Sequence, residues 1–245
     1  MRMCKITLLS GTLLAAFAVG MRGEEPEREQ KLMDEIASCD RAIKLDPTDA
    51  RAYDRRGNAR FKLGQVEDSI ADFDKFIELE PAAEPGHWRR GISYYYAGEW
   101  EKGRKQFEGY QTVDDNDVEN AVWRYLCMAR ADGVEKVQAE ILKIGEDRRV
   151  PMKEVYALYA GKAEPEHVLA AARAGDPPPE QLNERLFYAH LYLGLYHETA
   201  GEERKALEHI AAAADDHPIG HYMWDVAKVH AQRLRSQIQD PASPR

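Results

Sequence analysis

A period of 34 residues in the first half of the chain limits its fold more than any other feature. Four pairs share this spacing, namely Pro47 with Pro81, Gly57 with Gly91, Gly64 with Gly98, and Phe73 with Phe107. A fixed period of this kind is typical of stacked helix–turn–helix units rather than of one globular core. Such stacks present a concave wall, so the period predicts an all-α fold and the binding of other proteins.

Residues 50–81 form the clearest unit. Gly57 stands where the first helix must approach the second closely, and Gly64 suits the left-handed turn that ends the first helix. Phe73 is expected to fill the space between the helices, and Pro81 ends the second one because it cannot continue the hydrogen-bond ladder. The unit resembles the tetratricopeptide repeat (TPR) family, whose signature positions hold Tyr53, Gly57, Gly64, Phe73 and Pro81.

The resemblance implies a right-handed superhelix of TPR units with a C-terminal capping helix. We expect a signal peptide at 1–20, N-terminal TPR units within 24–145, an irregular helical insert with a proline-rich elbow at 146–180, a C-terminal TPR unit plus capping helix at 181–238, and a disordered tail at 239–245. The N-terminal region divides into about 30–47 (a partial unit), 50–81, 84–115 and 117–145. The last of these is predicted to form two helices, broken at Asp132–Gly133.

Residues 1–20 have the pattern of an export signal. Arg2 and Lys5 precede an apolar run, and Ala18 and Gly20 are small residues at the expected cleavage site. The pattern predicts an exported protein, periplasmic or otherwise extracytoplasmic, with no stable membrane span after cleavage. The alternative is that the segment is retained as an anchor.

The order of the parts is similar to that of the bacterial NlpI-type lipoproteins, which are TPR adaptors that bring envelope peptidases and proteases together. The chain lacks their lipid-attachment cysteine, since Cys4 precedes the apolar run. The resemblance therefore implies an envelope adaptor but no lipid anchor. Cys39 and Cys127 lie three units apart, and because stacked repeats touch only their neighbours, we do not expect a disulfide between them.

Composition and motifs argue against several functions. The net charge is −9, and no basic stripe carries interleaved aromatics, so nucleic acid is not an expected partner. The sequence has no nucleophile elbow, phosphate-binding glycine loop or HExxH motif, which predicts a protein that is not an enzyme and needs no cofactor. The acidic run Asp114-Asp115-Asn116-Asp117 is interpreted as a solvated loop, because it lacks the pattern of a calcium loop.

Six of the eight histidines lie between His190 and His230, which suggests a metal site. His190 and His197 share a helix face but stand roughly 10–11 Å apart, too far for one zinc ion without a third ligand. His217 and His221 have no nearby cysteine or carboxylate pair to complete a tetrahedral set. We therefore interpret the histidines as partly buried packing residues and predict no metal site; an enzyme that uses this cluster is the least favoured alternative.

The expected partner site is the groove. In the TPR family, certain positions of the first helix of each unit face it, and here they are Arg51, Asp54, Asn58, Phe61 and Lys62, then Pro85, Trp88, Ile92, Tyr95 and Tyr96. Aromatic side chains exposed on a groove are typical interface anchors. The resemblance implies that a peptide or partner helix of unknown identity binds there. The alternative is that Trp88 and the neighbouring tyrosines pack between units.

Two further readings concern the occupant of the groove. Asn58 and Arg89 match elements of a clamp for a partner's terminal carboxylate, but Asp54 stands where a lysine is needed and would repel that group. The alternative to an adaptor is a structural protein whose groove is filled by its own C-terminal helix, through Met223 and Trp224, or by a second copy in a homodimer.

Overall fold

The computed structural model describes the backbone of residues 13–239 and the side chains of residues 25–239 except that of residue 135. Within this part every regular element is a helix, which confirms the all-α fold class. The helices are α1 Leu13–Leu45, α2 Ala50–Lys62, α3 Val66–Leu79, α4 Trp88–Tyr96, α5 Trp100–Tyr110, α6 Val118–Asp132, α7 Val134–Val137, α8 Met152–Tyr159, α9 Pro165–Arg173, α10 Pro179–Thr199, α11 Glu203–Ala211 and α12 Tyr222–Gln239. The first twelve residues of the predicted signal peptide and residues 240–245 of the predicted tail lie outside the described residues.

Consecutive helices pack on one another, and three of these pairs share a close contact between a glycine and a bulky side chain. A Cβ atom added to Gly57 would lie 2.7 Å from the Phe73 ring. The equivalent distances are 2.8 Å from Gly91 to Phe107 and 2.5 Å from Gly194 to Ile210. The close approach predicted at Gly57 is therefore confirmed, and it recurs between α4 and α5 and between α10 and α11.

One turn geometry closes the first helix of each of these pairs. Gly64, Gly98 and Gly201 have φ values of 74°, 75° and 74°, in the left-handed region that glycine adopts without steric cost. In each turn the N–H of the following residue donates to the carbonyl five residues earlier, as from Glu99 to Tyr94. The same turn ends α8 at Gly161, inside the segment predicted to be an irregular helical insert.

The prediction of a second full helix within residues 117–145 is wrong. After α6, the chain forms one turn of α-helix and a short 3-10 turn, and residues 141–148 have no regular structure. These residues run across the loop before α6, where the Gly145 N–H donates to the Asp115 carbonyl and the Glu146 N–H donates to Asn116 Oδ1. The loop thus satisfies backbone donors that a helix would have used, and Gly145 and Pro151 disfavour the helical alternative.

The C-terminal helix is part of the core. One cluster of buried apolar side chains extends from α2 to α12, and its members on α12 are Met223, Val226, Ala227, Ala231 and Leu234. Helix α12 packs on α11 and also on α2, near the other end of the described chain. It therefore does more than cap the last unit. Cys39 and Cys127 are buried free thiols.

We expect Gly194→Ala to lower the free energy of unfolding by about 1–3 kcal/mol, because its Cβ would press on both the side chain and the backbone of Ile210. Gly109→Ala in α5 is the matched control, since the nearest atom to its Cβ is 4.0 Å away. That change should alter stability by less than about 1 kcal/mol, in the favourable direction. Urea unfolding measures both, and equal effects would contradict the close-contact explanation.

Candidate functional site

Helix α12 lies against aromatic residues of the predicted groove. Tyr222 stacks on Phe61 with a centroid distance of 5.6 Å and meets the Trp88 ring edge-on at 5.3 Å. Two turns further along α12, His230 Nδ1 is 2.9 Å from the Tyr96 hydroxyl oxygen. Phe61 is fully buried as a result of its packing in the core. Helix α12 thus covers three of the positions that were predicted to line the groove, namely Phe61, Trp88 and Tyr96.

Charged contacts hold the same helix in place. Asp225 Oδ2 is 2.9 Å from Lys62 Nζ on α2, and Asp225 Oδ1 accepts a 2.6 Å hydrogen bond from Arg28 on α1. Lys228 pairs with Glu25, also on α1. The Asp225 carboxylate is mostly buried, and two cations offset the cost of removing it from water. These pairs join the two ends of the described chain.

The remaining predicted groove residues have other surroundings. Asp54 forms an ion pair with Arg89 at 2.8 Å and accepts a 3.0 Å hydrogen bond from His87 Nε2, so Arg89 is not free to clamp a carboxylate. Arg51 is exposed, and Asn58 is half-buried with a side-chain oxygen that has no partner among the described residues. Ile92 and Tyr95 are buried in the core.

The residue that occupies the groove differs from the expected one. Met223 is buried, but Trp224 turns toward α1 and the end of α11, where its Nε1–H donates to the Ala214 carbonyl and its ring faces Arg28. Tyr222 takes the place on the groove that Trp224 was expected to fill. The signal for this was the spacing of Tyr222, Val226 and His230, which places the three on one face of a helix.

A cavity of about 150 Å³ opens beside the N-terminal end of α12. Its lining residues lie on α4, α5 and α6, with Asp117 just before α6, and the others are Arg149, His221 and Met223. The apolar lining includes Trp88, Ile92, Phe107 and Trp123, and the polar lining includes Asp117, Glu119, Asn120 and Arg149. Two predicted groove residues, Trp88 and Ile92, therefore reach this cavity, whereas its polar residues were not predicted as a site.

Carboxylates outnumber the cation at the cavity. Arg149 lies 2.6 Å from oxygens of Asp117, Glu119 and Asp147, and the Tyr192 hydroxyl donates a 2.5 Å hydrogen bond to Glu119. Burial raises the pKa of Glu119 to about 7, although Arg149 opposes this shift. Burial also raises the pKa of Asp117. The cluster thus carries excess negative charge when its acids are ionised.

Two buried polar atoms at the cavity lack partners. Asn120 Oδ1 and Trp123 Nε1 have no hydrogen-bond partner among the described residues, and the two residues are only 4% and 2% exposed. An unsatisfied buried polar atom costs roughly 1–3 kcal/mol, so native proteins retain few of them without a reason.

The histidines of α10 and α11 pack in a row. His190 Nδ1 is 3.0 Å from His209 Nδ1, while His217 stacks on His190 and His197 stacks on His209. Burial lowers the pKa of His190 to about 4 and lowers that of His209. His209, one of the six histidines between His190 and His230, supplies the central contact of this row. In the described part of the chain, no group of three or more histidine, cysteine, aspartate or glutamate side chains is arranged to hold a metal ion.

The sequence matches no model of a known protein family. A search of curated proteins likewise finds no match. Among the helices of residues 13–239, none is both long enough and apolar enough to cross a membrane. The surface covered by α12 and the acidic cavity beside it are the features of the structure that bear on function.

We expect the Glu119→Gln change to alter how stability depends on pH. Because the folded protein holds the Glu119 proton up to about pH 7 whereas an unfolded carboxyl has a pKa of 4.5, the folded state binds more protons between these values. The wild type should therefore lose stability relative to the variant as the pH rises from about 4.5 to about 7. Urea unfolding of both proteins across this range measures the difference; a constant difference would contradict the assignment.

Proposed function

We propose that the protein is a non-catalytic scaffold or adaptor that binds a partner protein, built as a right-handed TPR superhelix. The helix pairs with the same glycine contact and the same glycine turn support this architecture. The pattern of residues 1–20 supports export and a place in the cell envelope. The observation that carries the proposal is the seating of α12 on Phe61, Trp88 and Tyr96, because it is the way a helix binds in a hydrophobic groove.

In this proposal α12 is a fixed occupant of one part of the groove, and the partner binds the part that remains open. Trp88 belongs to both parts, since it contacts Tyr222 and also lines the cavity. It is only half-buried, so a partner can contact it without displacing α12. A large aromatic side chain at the centre of a small interface is the usual energetic anchor of such binding.

We propose a non-catalytic role because the acidic residues at the cavity are engaged in contacts within the protein. Arg149 binds Asp117, Glu119 and Asp147, and Tyr192 donates to Glu119. In this proposal the carboxylates have a structural role, since they bind a guanidinium and a tyrosine hydroxyl.

A second candidate function is favoured by the burial of α12. Met223, Val226 and Ala227 are at most 2% exposed, so this helix contributes to the core of the fold. A purely structural protein, whose groove is filled by its own helix, would have this arrangement. A homodimer that exchanges α12 between copies would bury the same residues.

Capture of a partner tests the adaptor. We expect Trp88→Ala, fixed to beads, to lose about tenfold or more of any protein that the wild type captures from an envelope extract, because the interface anchor is removed. Trp100→Ala is the matched control, since Trp100 is also half-buried and does not line the cavity. Circular dichroism confirms that both variants fold, and quantitative mass spectrometry measures the captured protein.

Two outcomes would contradict the proposal in different ways. Equal capture by the wild type and both variants would show that Trp88 is not part of the interface. A wild type that captures nothing, and whose mass by light scattering does not change with concentration, would instead favour the self-filled structural protein.

A further inference from the structure

Four histidines from α10, α11 and the segment before α12 form one continuous row of rings. His190 and His209 are the central pair, in which the two Nδ1 atoms are 3.0 Å apart. His217 stacks on His190 with a centroid distance of 5.5 Å, and His197 stacks on His209 at 5.4 Å. Because imidazole changes its charge near neutral pH, this histidine row is a place where acid can act on the fold.

The central contact limits the number of protons that the pair can hold. Two Nδ1 atoms at this distance share one hydrogen, which one ring donates and the other accepts through its lone pair. A first added proton can occupy Nε2 of the donating ring, and the hydrogen bond is kept. A second added proton must occupy the accepting Nδ1, and two N–H groups then point at each other. The folded pair therefore accommodates one added proton, whereas two separated histidines accommodate two.

The surroundings of His190 also oppose a positive charge. Burial lowers the pKa of His190 to about 4, and three groups act in the same direction, namely His209, His217 and Arg173 on α9. Two of these groups are themselves members of the row. A second proton on the central pair therefore meets both the geometric limit and repulsion from its neighbours.

The surroundings of His209 are mixed. Burial lowers the pKa of His209, and His197 and Lys205 lower it further, whereas the Glu208 carboxylate opposes the shift. Both His190 and His209 are half-buried, so solvent does not fully compensate a charge on either ring.

Carboxylates lie beside the two end rings of the row. A Glu202 oxygen is 2.6 Å from His197 Nδ1. Burial lowers the pKa of His217, Arg173 adds to this shift and the adjacent Asp216 opposes it. A positive charge on either end ring therefore has a nearby anion. The central pair is the part of the row that acid disrupts.

A short segment connects the row to α12. After α11 the chain forms one π-helical turn, Ala212–Asp216. This turn holds α12 at two points, because the Ala214 carbonyl accepts a hydrogen bond from Trp224 Nε1–H and Asp215 forms an ion pair with Arg235. Turns of this kind are frequent at functional sites. A displacement of α11 away from α10 would therefore move the turn that anchors α12.

We propose that the histidine row is an acid-sensitive switch, in which double protonation of His190 and His209 separates α11 from α10 and raises the population of molecules whose α12 has left the groove. The inference rests on the proposed function in naming the groove as the regulated site. At neutral pH α12 remains the occupant of its part of the groove, over Phe61, Trp88 and Tyr96. In acid this aromatic surface becomes open to a partner.

Hydrogen exchange of the full chain, read by mass spectrometry of peptic peptides, tests the switch. The open state binds more protons between about pH 4 and 6.5, because its histidines regain their ordinary pKa of 6.5. We therefore expect the opening constant of α12 amides, corrected for the intrinsic pH dependence of exchange, to rise about tenfold from about pH 7 to about pH 5. The amides of α3, which packs on α2 and α4, are the internal reference and should change by less than about threefold.

Variants connect this response to the central pair. The double variant His190→Gln with His209→Gln keeps polar side chains in place and removes both imidazoles. Its α12 opening constant should change by less than about threefold over the same pH range. His167→Gln is the matched control, since His167 is an exposed histidine of α9 whose Nδ1 accepts from the Glu164 N–H, and it should keep the wild-type response.

Nuclear magnetic resonance of the ring nitrogens in the wild type is a second test, which does not depend on the folding of the double variant. Imidazole nitrogens change their chemical shift when they gain a proton, so the spectra show when His190 and His209 both become charged. We expect both rings to become charged over the pH range in which α12 opens. Double protonation with no change in the exchange of α12 would overturn the switch.

The contrary results are distinguishable from a failure of the proposed function. Equal acid responses of the wild type and the double variant would overturn the switch, and so would parallel increases in α3 and α12, which indicate global unfolding. If either occurs while partner capture at neutral pH still depends on Trp88, the switch fails and the scaffold proposal stands. If α12 opens in acid as expected but the wild type captures no protein at either pH, the switch is supported and the adaptor fails.

Discussion

The packing of α12 against α2 and α4 is the interaction on which the rest of the structure depends. Tyr222 lies between Phe61 and Trp88, and Asp225 is held by Lys62 and Arg28. A stack of helix pairs needs contacts only between neighbours, whereas these contacts join residues that are 134 to 197 positions apart. Through these contacts α12 stabilises α1 and α2, which lie near the other end of the described chain.

This packing also determines where a partner can bind. Because α12 begins at Tyr222, its side chains cover Phe61 and Tyr96 but leave the space between Trp88 and Trp123 unfilled. The segment 141–149 borders that space, since it leaves the helical path after α7 and brings Asp147 and Arg149 to the N-terminal end of α6. The irregular segment 141–149 and helix α12 together border a cavity lined by acidic and aromatic side chains.

The parts of the fold that depend on local sequence were predictable. Gly57 and Gly64 identified a close helix contact and a left-handed turn, since only glycine meets both requirements without strain. The positions of Phe61, Lys62, Trp88 and Tyr96 on a common groove were implied by the family resemblance, and in the structure α12 contacts all four. The sequence did not decide which segment covers that groove. The contacts of α12 join distant parts of the chain, and the 34-residue period does not extend to α12.

The cavity could not be predicted from the sequence, for a different reason. Asp117 belongs to an acidic run that, in isolation, reads as a solvated loop, and its pairing with Arg149 requires the irregular path of residues 141–149. The apolar residues Val137, Ile141 and Ile144 suggested a helix there. The hydrogen bonds from the loop before α6 outweighed that preference, as local propensity is a weak guide where tertiary contacts compete.

Zero-length crosslinking between Lys62 and Asp225 tests the seating of α12 most directly. A carbodiimide joins an amine to a carboxylate only when the two are in contact, and here Lys62 Nζ is 2.9 Å from Asp225 Oδ2. In an equal mixture of ¹⁴N and ¹⁵N protein, the account predicts a Lys62–Asp225 crosslinked peptide from the monomer in which both halves carry the same isotope. Its absence, or its occurrence only with mixed isotopes, would contradict the claim that the chain's own C-terminal helix fills the groove.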